Sequence, residues 1–113
     1  MTIEVNGIDF KPYLTNCQIS IVDVDGDTTR NAEGTLTRDR IAVKRKISFE
    51  FGVMTKEELS IILTAVSNSS FSVNYTDPQS NKNKTGEFYV GDRPVTNLLL
   101  NLYKDVKFNI IEL

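Results

Sequence analysis

Histidine and tryptophan are missing from the 113 residues, and cysteine occurs once. Without an imidazole, the usual catalytic triads have no base and most zinc sites lose a ligand. A single cysteine excludes an intramolecular disulfide. Cys17 sits between Asn16 and Gln18, with Ile19 and Ile21 following, which predicts a small buried or half-buried thiol on a strand. No apolar run approaches the ~18 residues of a membrane span. The opening Met1-Thr2-Ile3-Glu4-Val5 has no basic stretch followed by an apolar one, so no signal peptide is expected and synthesis is expected in a cytosol. In that setting the triplets Asn68-Ser69-Ser70 and Asn83-Lys84-Thr85 read as chance matches to a glycosylation acceptor. A Gly-rich phosphate loop, HExxH, CxxC and a nucleophile elbow are all lacking. These absences predict a protein with no catalytic residues, no cofactor and no metal.

What is present is ordinary for a folded domain. Apolar residues make up 40% and charged residues 25% of the chain. Its length suits one core, hence a single domain over residues 1–113. A formal net charge of -2 offers no whole-molecule attraction to nucleic acid or acidic lipid, so neither is expected as a partner.

Strand patterns dominate. Ile3 and Val5, an Asn6-Gly7 turn, then Ile8 and Phe10 spell a hairpin. Pro12 limits pairing beyond it. Residues 17–24 form a second strand candidate. From 41 to 51, Ile41, Val43, Ile47, Phe49 and Phe51 fall on one face, while Lys44, Lys46, Ser48 and Glu50 take the other. Arg45 interrupts the apolar face, so it lies at the mouth of the core or reaches a carboxylate. Thr55 and Glu58 make a capping box, Met54 and Leu59 a hydrophobic staple. Leu59, Ile62, Leu63 and Val66 then form the stripe of a helix packed on a sheet. Phe71, Val73 and Tyr75 alternate, 77–84 is a polar turn, 87–90 returns, and 91–94 turns again. Residues 98–102 suit a short strand or helical turn, and Val106, Phe108 and Ile110 close the chain as a strand. The expected fold is mainly β (α+β), an antiparallel sandwich or barrel of six or seven strands with one packed helix.

Two charged segments stand out. Asp23-x-Asp25-Gly26-Asp27 invites a calcium reading, but the twelfth position of such a loop would be Gly34, not a bidentate glutamate. The stretch 23–40 is therefore expected to be a long polar loop or hairpin tip. The carboxylate pair Glu57-Glu58 belongs to a helix's first turn, where it favours the dipole. Arg38, Arg40, Lys44, Arg45 and Lys46 form a basic cluster. It presents positive charge to a partner or simply blunts edge aggregation. No aromatic is interleaved there for stacking on bases.

The run Arg30-Asn31-Ala32-Glu33-Gly34-Thr35-Leu36-Thr37-Arg38-Asp39-Arg40-Ile41-Ala42-Val43-Lys44-Arg45-Lys46-Ile47 resembles a segment of small tail proteins of siphophages and prophages of Gram-positive bacteria. Val73-Asn74-Tyr75-Thr76-Asp77-Pro78, Phe88-Tyr89-Val90-Gly91-Asp92-Arg93 and Phe108-Asn109-Ile110-Ile111-Glu112-Leu113 extend the likeness over most of the chain, in the same order. Members of that family often carry Trp near Phe51 and Tyr103, which here keep aromatic bulk. The resemblance implies a virion structural protein without catalysis, made in the host cytoplasm and carried in the tail. It also implies a fold like that of tail-tube or distal-tail proteins. Its partners would be other tail proteins and further copies of itself in a ring. Contacts are expected from Arg30, Arg38, Arg40, Lys44 and Lys46, and from the turns at Asp77-Pro78 and Asp92-Arg93. The segment 23–40 then becomes a candidate arm toward a neighbouring subunit.

Two other function classes fit the same residues. A receptor- or carbohydrate-binding accessory module would use tyrosines as platforms, and Tyr13, Tyr75, Tyr89 and Tyr103 are those available. An inhibitor of a host factor would act in the host cytoplasm and be missing from particles.

Overall fold

The computed structural model describes residues 2–30 and 36–113, the side chains of 24–30 and 36–42 excepted. In chain order its elements are β1 (Ile3–Val5), β2 (Ile8–Asp9), a 3-10 turn (Lys11–Tyr13), β3 (Leu14–Arg30) and β4 (Leu36–Phe51). Then come β5 (Met54–Thr55), α1 (Lys56–Ala65), β6 (Phe71–Asp77), β7 (Lys82–Val90), β8 (Thr96–Leu99), β9 (Leu102–Lys104) and β10 (Lys107–Glu112). The fold is mainly β and antiparallel, with one α-helix among the described residues, as the patterning predicts. Seven strands form one sheet in the order β2-β1-β6-β7-β10-β4-β3, and three form a second in the order β5-β9-β8.

Local chemistry accounts for the first turn. Asn6 and Gly7 take φ of 51° and 81°, the left-handed pair that suits Asn-Gly, and Val5 pairs with Ile8. Pro12 lies in the 3-10 turn that separates β2 from β3. The sheet then curls. In a flat sheet β2 and β4 would stand about 24 Å apart, at ~4.8 Å per strand. Yet Phe10, immediately after β2, meets Phe49 of β4 edge-on with ring centroids 5.5 Å apart. Phe10 also meets Phe51 at 5.9 Å, and Phe49 meets Phe108 of β10 at 5.6 Å. The concave face carries Ile3, Val5, Phe71, Val73, Tyr75, Phe88, Phe108, Ile110, Ile47 and Phe49, all buried.

The helix closes this core. Thr55 Oγ1 accepts from the Glu58 N–H at 3.2 Å, and Glu58 Oε1 accepts from the Thr55 N–H at 3.1 Å, the reciprocal box expected. Leu59, Ile62, Ala65 and Val66 are buried, with Leu63 at the edge of the stripe. The second sheet holds the helix start: Met54 pairs with Tyr103, and the Lys56 N–H donates to the Asn101 carbonyl at 2.9 Å.

Of the two readings of segment 23–40, a polar loop or a hairpin tip, the described part takes the second: it is the outer part of a β-hairpin. β3 and β4 stay paired from Leu14↔Phe51 out to Thr28↔Arg38, Thr29↔Thr37 and Arg30↔Leu36. Threonine's branched Cβ suits extended backbone. Residues 31–35, which the resemblance also covers, lie outside the described residues.

Candidate assembly interface

β10 leaves β4 at the Ile111↔Lys46 pair, so β4 beyond that point pairs with β3 alone. From Ile21↔Arg45 to Arg30↔Leu36 the two strands form a ribbon, about 30 Å long at ~3.3 Å per residue. The molecule measures 65 × 28 × 24 Å, with a radius of gyration of 17.5 Å. A compact domain of this length would have about 13 Å. The excess belongs to the ribbon, which is about as long as the body is wide.

The ribbon's pairing shifts register between Val24 and Asp25 and again between Asp25 and Thr28. Bulges of this kind increase twist and blunt an edge. The acidic trio Asp23, Asp25 and Asp27 therefore lies on β3, with the Asp25 backbone directly opposite Arg40. Among the described residues no three His, Cys, Asp or Glu side chains come together as a metal site.

At the ribbon's root, where the core ends, Arg45 turns inward. Its Nε donates to Asp77 Oδ1 at 2.8 Å and its Nη2 to Asp77 Oδ2 at 3.4 Å. Nη2 also donates to Gln79 Oε1 at 3.2 Å. β4 and β6 are separated by β10 and β7 in the sheet, so this pair ties its two limbs together across the concave face. Asp77 is fully buried and receives a further hydrogen bond from the Ser80 N–H at 3.1 Å, with Lys84 Nζ 3.6 Å away. The guanidinium holds the Asp77 carboxyl well below the usual carboxylate range, overcoming the burial that pushes it up. Burial, and next the Glu112 carboxylate, push the Tyr75 hydroxyl up. Glu112 itself accepts from the Arg45 N–H at 3.0 Å. Both alternatives for Arg45 are thus realised together: it is at the mouth of the core and it has a carboxylate.

Beyond this clasp the concave face continues into solvent. Ile21, Asp23, Val43, Arg45 and Gln79 line a groove of about 580 Å³, with Ile21 44% and Val43 37% exposed. Val43 is expected in the apolar core face, but the curled body ends one pair earlier. Lys44 and Lys46 lie on the opposite face, partly exposed. Pro78, Asp92 and Arg93 are exposed, and Arg93 Nη1 donates to the Val66 carbonyl at 3.0 Å. Asp77 alone of the expected contact residues with described side chains is buried, both oxygens engaged within the chain. The side chains of Arg30, Arg38 and Arg40 lie outside the described residues, although their backbones are part of the ribbon.

A second surface was not foreseen from the pattern. The β8–β9 hairpin exposes Val95, Leu98, Leu99 and Leu100, the last two at 64% and 85%. Leu100, the first residue of its two-residue turn, takes φ of 50°, a conformation glycine normally supplies there. The run Leu98-Leu99-Leu100 carried the only available signal, and an apolar run is usually read as core.

Of the four tyrosines, Tyr75 is buried, Tyr13 and Tyr103 are partly buried, and Tyr89 is exposed. Cys17 is half-buried against the core, and burial pushes its thiol up to about 11. No helix among the described residues is long and apolar enough to cross a membrane. No curated protein and no solved structure matches the chain. A family model matches residues 2–113, and the chain belongs to that family, described as Family of unknown function (DUF6711).

Proposed function

We propose that this protein is a non-catalytic structural component of a bacteriophage or prophage tail, assembling with itself or with neighbouring tail proteins through the ribbon. The carrying observation is the ribbon itself: two strands, about 30 Å long, paired only with each other. A two-stranded ribbon is at best marginally stable in water and does little for the core it leaves. Such an element gains its stability, and has its use, against another molecule. The resemblance to small tail proteins supplies the setting, and the partners it implies are further copies or adjoining tail proteins, in the virion.

The tyrosine arrangement favours this reading over a sugar-binding module. A stacking platform wants aromatic faces grouped on one exposed surface. Among the described residues only Tyr89 is an exposed tyrosine. The test is mass spectrometry of purified particles from an induced host. Assembly into the tail predicts many copies per particle, whereas a host-directed inhibitor would be found in the lysate and not in particles.

A further inference from the structure

We infer that the outer edge of β3, beside the turn that joins β6 to β7, accepts an extended segment of a partner protein as an added strand. The site lies on the body and stands apart from the ribbon.

β3 is the last strand of the larger sheet, and among the described residues its one strand partner is β4. In an antiparallel pair, successive residues point their N–H and C=O groups to opposite sides. Two contacts fix which residues of β4 face which way. The Phe51 N–H donates to the Val106 carbonyl at 2.9 Å and the Arg45 N–H to Glu112 of β10, so odd residues face β10. Even residues of β4 therefore face β3, and Thr15 Oγ1 accordingly donates to the Glu50 carbonyl at 3.2 Å. Asn16, Gln18, Ser20 and Val22, opposite those even residues, engage their backbone groups with β4. Cys17, Ile19 and Ile21 face away from it. Each leaves an N–H and a C=O open at the edge, at intervals of about 6.6 Å.

Edge strands are ordinarily kept from pairing by shortness, charge, proline or bulges. β2, at the other edge of the same sheet, has two residues and is followed by Pro12. From Asn16 to Val22, β3 has no charged residue, no proline and no break in its register with β4. A place for side chains accompanies the open backbone. Cys17 and Ile19 form one wall of a groove of about 440 Å³, and Thr76, Pro78 and Asn81 form the other. A segment laid along β3 sends alternate side chains between these walls, which suit small or branched uncharged ones. The second wall selects the occupant. A strand already built into a sheet brings a neighbour on its far side, where the turn at Pro78 to Asn81 stands. A single extended segment with both edges free does not. The partner is thus an uncharged extended peptide, recognised chiefly through its backbone.

Amide hydrogen exchange, read residue by residue by NMR on the full-length protein, tests the site. The probe is an acetylated peptide of alternating threonine and valine with a lysine at each end. Its counterpart is N-methylated at every central residue and cannot pair as a strand. In the free protein the amides of Cys17, Ile19 and Ile21 should exchange at least tenfold faster than those of Gln18, Ser20 and Val22. Millimolar probe should slow the first three at least tenfold, and the counterpart should change nothing. Ile21→Pro removes an outward N–H, so it should melt within a few degrees of the parent and bind the probe at least tenfold more weakly. Val22→Pro removes an N–H engaged with β4 and should melt well below both. Equal protection of the two sets in the free protein, whether within a monomer or in an oligomer seen by light scattering, overturns the open edge. Unchanged exchange with the probe, or equal slowing by its counterpart, overturns strand addition.

Discussion

Asp77 and Arg45 show how much one buried pair can organise. Their side chains are 1% and 10% exposed, and the pair links β6 to β4 across the concave face. Removing one partner strands the other charge, at a typical cost of about 3 kcal/mol or more. Asp77→Asn should therefore lower the unfolding free energy by about that amount in urea titration, and Arg45→Met with Asp77→Leu should recover most of it. The acid response follows from the direction of the shift. The Asp77 carboxyl is depressed in the folded state, so its contribution is complete above the unfolded carboxyl's range, about pH 4. It is lost progressively as the pH falls below that toward the folded value. The parent should thus lose stability below pH 4 more steeply than Asp77→Asn. Parallel slopes would mean the pair does not carry the effect. Cys17 offers a second residue-scale check. With its thiol pushed up to about 11, the reactive thiolate is scarce at pH 8. Reaction with a disulfide reagent in the native state should be about a hundredfold slower than for a free thiol near 8.5. A rate near the free value would mean that Cys17 is not held as described.

At the scale of the element, legibility follows locality. The capping box at Thr55 and Glu58 was readable because its partners lie within one turn. Thr55→Ala should lower stability by about 1 kcal/mol in thermal denaturation, and more if the Glu58 contact back to the Thr55 N–H is lost with it. The Asn6-Gly7 hairpin was readable for the same reason. β5 was not, because two residues gain a strand only by meeting Tyr103 and Leu102 from far along the chain. Nor was the ribbon. Alternation of apolar residues is the usual strand signal, and residues 23–40 have few apolar residues to alternate, so their strand character lay in threonines and pairing alone. Asp77 read as the first residue of a turn, which it is, since Ser80 donates back to it. Its burial was half announced by Arg45, a cation interrupting an apolar face, but only the curl of the sheet names the partner.

The whole molecule divides into a body that folds on its own contacts and a ribbon that extends beyond them. The aromatic group around Phe49 and the capped helix lie on the body side of the Ile21↔Arg45 pair, and the Arg45–Asp77 pair lies at that boundary. On the assembly reading proposed above, the ribbon should be expendable for folding and needed for assembly. That division is tested by replacing residues 24–42 with Asn-Gly, which joins Asp23 and Val43, already paired, through a two-residue turn. Light scattering over a concentration series, with melting temperatures measured alongside, reads both halves. The parent should assemble with rising concentration, and the trimmed protein should stay monomeric with a melting temperature within a few degrees. A trimmed protein that assembles as the parent does, or a parent that is monomeric throughout, would contradict that division.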